Sequence, residues 1–193
     1  MLGLLDLLKF NKDSIQSGKL SKIEGLPNVS IVLSAAVACA KRGYVEIFND
    51  NNTPASLHHI LDFSKNYTIK LTPAGDLLAH ALPTLQLYDR KVQKSAWVGT
   101  ELVLDLLPEI EARGGFVIAN LDSSAQQEIF FAVEQYIAAG LMTAKDSNNM
   151  SRLTRAGKHF CETIQKARSK AGNNVRPASK KREVTQNAVF EKS

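Results

Sequence analysis

Two short stretches, one in each half of the chain, constrain the fold more than any other feature. Leu71-Thr72-Pro73-Ala74-Gly75 and Leu153-Thr154-Arg155-Ala156-Gly157 share the pattern Leu-Thr-x-Ala-Gly. In each, the Thr hydroxyl can cap a helix by accepting a hydrogen bond from a backbone N–H of the next turn, and Pro73 suits a first helical position. The residues before each Thr are predicted to be extended. Internal repetition of this kind predicts one supersecondary unit that occurs twice.

The segments before the two stretches also correspond. An apolar helical run ends at Gly43 in the first half and at Gly140 in the second half, and a short strand is predicted after each glycine. In the second half the polar residues Lys145–Asn149 suit a tight turn between two strands. The first half is longer here, because it contains Thr53–Leu61, which we expect to form a capped helical turn inside the hairpin.

The order helix, glycine turn, strand, polar tip, strand ending in Leu-Thr-x-x-Gly, and helix resembles the C-terminal half of a winged-helix domain, in which the hairpin forms the wing. The resemblance covers residues 29–82 and 95–165. It implies an α+β, mainly α-helical protein with two winged-helix modules, each of helices plus a small antiparallel β-hairpin. The implied division is module 1 with a long wing over residues 1–83, a linker over 84–94, module 2 over 95–165, and a disordered basic tail over 166–193.

Further elements follow from periodicity and from helix-breaking residues. We predict a leucine-rich helix over residues 1–10, a polar connector over 11–28, and a buried helix over 30–42 that is apolar almost all round. A helix that opens at Ser95 should stop before Pro108. The helix over 125–138 places Ile129, Val133 and Ile137 on one stripe and Gln135 away from it; the resemblance makes it the recognition helix of module 2.

The net charge of +5 is concentrated at the C-terminal end. Residues 166–193 hold eight Lys or Arg residues against Glu183 and Glu191, so the rest of the chain is close to neutral. A segment with this charge and few apolar residues is predicted to be disordered. It either binds DNA phosphates or an acidic surface through counterion release, or it only keeps the chain in solution, and the sequence leaves both open.

No arrangement of residues points to catalysis or to a metal. Arg113-Gly114-Gly115 lacks the spacing and the lysine of a phosphate-binding loop, and His58 and His59 are adjacent, so they cannot share a helix face. The acidic group of Asp105, Glu109 and Glu111 fits a solvated helical face. We therefore expect no enzyme, no cofactor and no metal site.

Cysteine usage and hydropathy indicate the compartment. Cys39 and Cys161 have no partners at metal-ligand spacing, which predicts two reduced, buried thiols. No stretch reaches the roughly 18 apolar residues of a membrane span, and the first residues lack the basic leader of a signal peptide. The expected location is the cytoplasm.

Basic residues gather on the second wing and the helix after it, while the predicted recognition helix offers glutamines and no Lys or Arg. We therefore predict a protein that binds double-stranded DNA mainly through its phosphates, as a transcriptional regulator or a DNA-associated accessory factor. The expected DNA-binding residues are Lys145, Arg152, Arg155, Lys158, Gln126, Gln127, Lys166, Arg168, Lys170, Lys180, Lys181 and Arg182.

Two other functions remain open. Winged helices also serve as protein-assembly modules, and Phe131, Trp97 and the leucine-rich N-terminus would then contact a protein partner or a second copy. In addition, residues 33–82, with Lys41-Arg42-Gly43 and later Pro73–Leu78, are weakly similar to the Golgi phosphoprotein family, which would imply phosphoinositide binding.

Overall fold

A computed structural model describes residues 1–23, 26, 28–57, 60, 65–83, 101–117 and 124–171. Over these residues the protein is α+β and mainly helical, with two small antiparallel sheets, in agreement with the predicted class. The predicted linker over 84–94, Trp97, and the tail residues Lys180, Lys181 and Arg182 lie outside the described residues.

The described part of the first half contains four helices and a three-stranded sheet. Its elements are α1 (Leu2–Phe10), β1 (Ser14–Gln16), α2 (Ser17–Leu20), α3 (Val29–Lys41), β2 (Val45–Phe48), β3 (Thr68–Leu71) and α4 (Pro73–Ala81). The strand order is β1-β3-β2, with both pairs antiparallel. Ile69 on the central strand lies opposite Ile15 and Ile47, and all three side chains are buried in the core.

The second half repeats this order in its described elements. A 3-10 turn at Glu101–Leu104 precedes α5 (Leu106–Ala112), β4 (Phe116–Val117), α6 (Ser124–Ala138), β5 (Met150–Ser151) and α7 (Arg155–Ala171). Strand β5 pairs antiparallel with β4, and just beyond β5 Leu153 forms an antiparallel bridge with Met142. The last strand of each half therefore lies between the two earlier ones.

Both predicted hairpin pairings are confirmed. In the first half Val45 lies opposite Leu71 and Phe48 lies opposite Thr68. In the second half the pairing is shorter: beside the Met142–Leu153 bridge, the Thr143 N–H donates to the Arg152 carbonyl at 2.8 Å.

A single threonine ties strand and helix together in the first half. The Thr72 hydroxyl donates to the carbonyl of Gly43 at 2.7 Å and accepts the N–H of Gly75 at 3.1 Å, so it caps α4 as predicted. The Thr72 N–H donates to the Tyr44 carbonyl at 3.1 Å. Gly43 takes the left-handed conformation (φ 71°) that presents its carbonyl to the threonine. We call this set of bonds the Thr–Gly clasp.

The second half contains the same clasp. The Thr154 hydroxyl donates to Gly140 O at 2.7 Å and accepts the Gly157 N–H at 3.0 Å, and the Thr154 N–H donates to Leu141 O at 2.9 Å. Gly140 has φ 69°. The correspondence of bonds, distances and glycine conformation shows that the sequence repeat is also a repeat of three-dimensional structure.

The last residue of each repeated motif must be glycine for a steric reason. A Cβ atom on Gly75 would lie 1.8 Å from the Tyr44 carbonyl oxygen, and one on Gly157 would lie 2.0 Å from that of Leu141. The first turn of α4 and of α7 therefore packs directly on the backbone at the start of a strand. No side chain fits between helix and strand at these two points.

Three sequence predictions about secondary structure are wrong. The connector over 11–28 contains β1 and α2, which are too short to show a periodic pattern. Pro108 does not end a helix but lies in the first turn of α5. A backbone N–H at this position has no intrahelical acceptor, so proline, which lacks the N–H, removes no hydrogen bond. Helix α7 runs to Ala171, past the predicted tail boundary at 166, because Phe160, Ile164 and Ala167 continue a buried stripe.

The structure corrects three further expectations, two about burial and one about a helical turn. The leucines of α1 are all buried, so the N-terminal helix is part of the core and not a contact surface. Gln135 is also buried, although helical spacing placed it on the polar side of α6. The described part of the expected helical turn, Thr53–Leu57, is not helical: Pro54 bridges to Phe48 and the Ala55 N–H bonds to Ile47 O at 2.8 Å.

The two halves share one hydrophobic core. Among the described elements, α4 and α7 make the most extensive contact, and α4 also packs on α1. These are the two helices that follow the repeated motif. The repeated units therefore meet through corresponding helices, an arrangement that the sequence analysis did not predict.

We expect Gly75→Ala and Gly157→Ala each to lower the free energy of unfolding by about 2–4 kcal/mol, because the new Cβ forces helix and strand apart. Gly114→Ala is the matched control. Gly114 also has a positive φ (78°), but nothing lies within 4 Å of its Cβ position, so about 1 kcal/mol is expected. Urea unfolding measures all three, and equal losses would contradict the packing argument.

Candidate nucleic-acid interface

The tip of the second hairpin is held by one carboxylate. Asp146 Oδ1 accepts the N–H groups of Asn148 at 2.8 Å and Met150 at 3.0 Å, and Asn149 takes a left-handed conformation (φ 57°). These bonds stabilise the charged form and hold the pKa of Asp146 below its ordinary value. Lys145 is exposed next to Asp146 and is thus presented on an ordered turn.

The first hairpin has a tip of the same construction. Asn49 Oδ1 accepts the N–H groups of Asn51 at 3.1 Å and Thr53 at 3.0 Å, and Asn52 has φ 55°. This likeness was not predicted, although the shared pattern is visible in the sequence: an Asn or Asp is followed two and three residues later by asparagines. The repeat therefore extends into the turns.

Most of the predicted phosphate contacts in the described region are exposed. Arg152 lies beside the second hairpin, Arg155 opens α7, and Lys158, Lys166 and Lys170 project from α7 into solvent. From Thr143 to Ala171 the only carboxylates are Asp146 and Glu162. Together with Lys145, these five residues form what we call the wing-two cationic surface.

Arg168 differs from these residues, because its side chain also binds within the protein. Its Nη2 atom donates to Asp105 Oδ1 at 2.6 Å and to the Leu104 carbonyl at 2.9 Å. The side chain is 38% exposed, but its donor is directed at the 3-10 turn and not at solvent. Arg168 is therefore a structural residue of the contact between α7 and the residues before α5.

The same aspartate also binds the first half of the chain. Arg42, just after α3, forms two parallel hydrogen bonds with the Asp105 carboxylate, each 2.8 Å long. This bidentate pair is largely buried, with 10% and 20% of the two side chains exposed. Burial raises the pKa of the nearby Tyr44, and the positive charges of Arg168 and Arg42 oppose that shift. One carboxylate thus joins the two halves.

Helix α6 exposes few side chains that could contact DNA. It contains no Lys or Arg; Gln127 is exposed, and the side chain of Gln126 lies outside the described residues. Its exposed face instead carries Phe130 and Phe131, 36% and 39% exposed, whose rings meet edge to face with centroids 6.0 Å apart. The predicted exposure of Phe131 is confirmed.

Neither cysteine is suited to reactivity. Cys39 and Cys161 are free and buried, as predicted, and burial raises their pKa values to about 11 and about 12. In the described part of the chain no three His, Cys, Asp or Glu side chains are grouped to hold a metal ion. Across residues 1–83 and 101–171, where described, every helix is too short or too polar to cross a membrane.

Comparison with protein-family models, with curated proteins and with solved structures finds no match for this chain. The features that bear on function are therefore the wing-two cationic surface, the exposed face of α6 and the packing of the two halves.

We expect Asp105→Asn to lower the free energy of unfolding by about 3 kcal/mol, because it leaves the buried Arg42 guanidinium without its counter-charge. Arg168→Met should cost less than about 1 kcal/mol, since Arg168 is partly exposed and Arg42 still satisfies the carboxylate. Glu162→Gln on the exposed face of α7 is the control, with a change within about 0.5 kcal/mol. Chemical unfolding measures these differences; an Asp105→Asn effect as small as that of the control would contradict the role of the pair.

Proposed function

We propose that this chain is a tandem winged-helix protein that binds the phosphate backbone of double-stranded DNA through the wing-two cationic surface and the basic C-terminal segment. The observation that carries the proposal is that Lys145, Arg152, Arg155 and three lysines of α7 are exposed along one hairpin and the helix after it, a segment whose sequence contains only two carboxylates. Clustered cations of this kind bind polyphosphate by releasing its counterions.

The arrangement of elements supports the winged-helix part of the proposal. In the first half, α1, β1, α2, α3, β2 and β3 follow one another in the order of a winged helix, and the last strand lies in the middle of the sheet. The described elements of the second half follow the same order, with β5 between β4 and Met142. In this reading the Lys145–Asn149 turn is the tip of the second wing.

The distribution of side chains favours an accessory factor over a site-specific regulator. Base readout in the major groove requires Arg, Lys, Asn or Gln on the inserted helix, whereas α6 exposes Gln127 beside two phenylalanines and α3 is mostly buried. Phosphate contacts position a protein on DNA but do not select a sequence. We therefore expect comparable affinity for unrelated duplexes.

Salt dependence tests the proposal. In a plot of the logarithm of the duplex affinity against the logarithm of salt concentration, phosphate contacts by the six cations of the surface alone give a slope of about −5, and contacts by the basic segment make the slope of the full-length chain steeper. Arg152→Ala with Arg155→Ala should reduce the slope by about 2 and weaken binding roughly tenfold at moderate salt. Fluorescence anisotropy with a labelled duplex measures both quantities.

The controls separate the surface from general positive charge. Lys19→Ala with Lys22→Ala removes two exposed cations of the first half and should leave the slope nearly unchanged. A chain that ends at Ala171 keeps α7 and the Arg168–Asp105 pair intact, so its loss of affinity reports on the basic segment alone. Absence of duplex binding by the full-length chain at low salt would refute the proposal.

A second function, protein assembly, is favoured by the exposed aromatic pair of α6. Phe130 and Phe131 are adjacent, exposed and free of neighbouring cations on their helix, which is typical of a protein contact. The partner that is simplest to test is a second copy of this chain.

Sedimentation equilibrium tests this second function. Association through Phe130 and Phe131 should persist at high salt and be lost in Phe130→Ser with Phe131→Ser, because apolar contacts are not screened. Phe10→Ser is the control, since Phe10 is 55% exposed on α1. A full-length chain that stays monomeric at high concentration excludes self-assembly through α6.

A further inference from the structure

An ionisable histidine lies among the cations of the wing-two cationic surface. His159 is on α7, and its side chain is 64% exposed. Its Nδ1 atom lies 3.9 Å from Oε2 of Glu162, which is too far for a hydrogen bond. The imidazole ring is therefore accessible to a ligand that approaches α7 from solvent.

Helical spacing places His159 in one row with three of these cations. At about 100° per residue, Arg155, His159, Lys166 and Lys170 lie within about 60° of one another around the axis of α7. Along that axis His159 is about 6 Å from Arg155 and about 10 Å from Lys166. A phosphate backbone that contacts both of these cations therefore passes the imidazole ring.

The charges beside His159 on its own helix are two cations and one carboxylate. Arg155 lies one turn before it, Lys158 is adjacent in the chain, and Glu162 lies about one turn after it. The side chain of Glu162 is 66% exposed, so water screens its charge at the histidine.

The ionisable groups of the helices packed on α7 are directed elsewhere. These groups are Asp76 and His80 on α4, and Glu109 and Glu111 on α5. Asp76 and His80 pair with each other, with their side-chain atoms 2.9 Å apart. Glu111 lies beside Cys161, which is buried and is two residues after His159, on the opposite side of α7.

Protonation changes what an imidazole ring presents to a phosphate. A neutral ring has one donor and one acceptor nitrogen, whereas a protonated ring has two donors and a positive charge. Because phosphate oxygens act as acceptors, they form stronger, charge-assisted hydrogen bonds with the protonated ring. By linkage, a ligand that prefers the protonated form also promotes proton uptake. Histidine ordinarily changes charge between about pH 5 and about pH 8.

We propose that His159 is a proton-dependent phosphate contact of the wing-two cationic surface, so that duplex binding takes up a proton and strengthens as the pH falls. This inference rests on the proposed DNA binding and adds its regulation by pH. The surface acts with seven cations when His159 is protonated and with six when it is neutral.

Fluorescence anisotropy with a labelled duplex, at pH 6 and pH 8 and over a range of salt concentrations, tests the proposal. We expect the full-length chain to bind about three- to tenfold more tightly at pH 6, with a salt slope steeper by about 1 because one more phosphate contact releases counterions. His159→Gln should remove both differences. His159→Lys should keep the steeper slope at both pH values, because lysine stays charged throughout this range.

The matched control is His80→Gln. His80 is 60% exposed on α4 and lies outside the wing-two cationic surface, so its replacement should leave the pH dependence intact. Equal affinity of the full-length chain at the two pH values would overturn the proposal, and so would a pH dependence that persists in His159→Gln. Either result leaves duplex binding itself in place, whereas no binding at either pH refutes the DNA proposal and this inference with it.

Discussion

The fold depends on a contact between the backbone of a strand and the first turn of a helix, made without any side chain between them. In the Thr–Gly clasp, threonine bonds to the carbonyl of a left-handed glycine and caps the helix, while a second glycine lets the helix approach the strand. The clasp sets the direction of α4 in the first half and of α7 in the second. Because α7 carries four of the exposed cations, the clasp at Thr154 also places the wing-two surface.

The two clasped units are held together by helix packing and by one shared carboxylate. Helices α4 and α7, which the clasps begin, pack on each other, and Asp105 binds Arg42 from one half and Arg168 from the other. A carboxylate shared by two guanidinium groups fixes their geometry and compensates part of their positive charge. The charge available to a polyanion is therefore smaller than the sequence total and lies on one hairpin, one helix and the C-terminal segment.

The sequence predicted the parts of this structure that depend on local chemistry. The threonine caps, the glycine turns, both hairpin pairings and the helices α1, α3, α4 and α6 follow from residue type and spacing. Strands β1 and β4 could not be predicted from residue type and spacing. Segments of two or three residues are too short to show alternation, and they are extended because they pair with a neighbouring strand. The pairing of Arg168 with Asp105 was not predicted, because a count of charges does not reveal a partner far away in the sequence.

The central claim is that one clasped unit occurs twice and that each copy is fixed by the same bonds. Amide hydrogen exchange, measured by NMR on the full-length chain, tests it directly at Thr72 and Gly75 and at their counterparts Thr154 and Gly157. The account predicts that all four amides exchange only through large-scale unfolding, with similar protection in the two halves. Exchange of either pair at the rate of an exposed loop amide would contradict it.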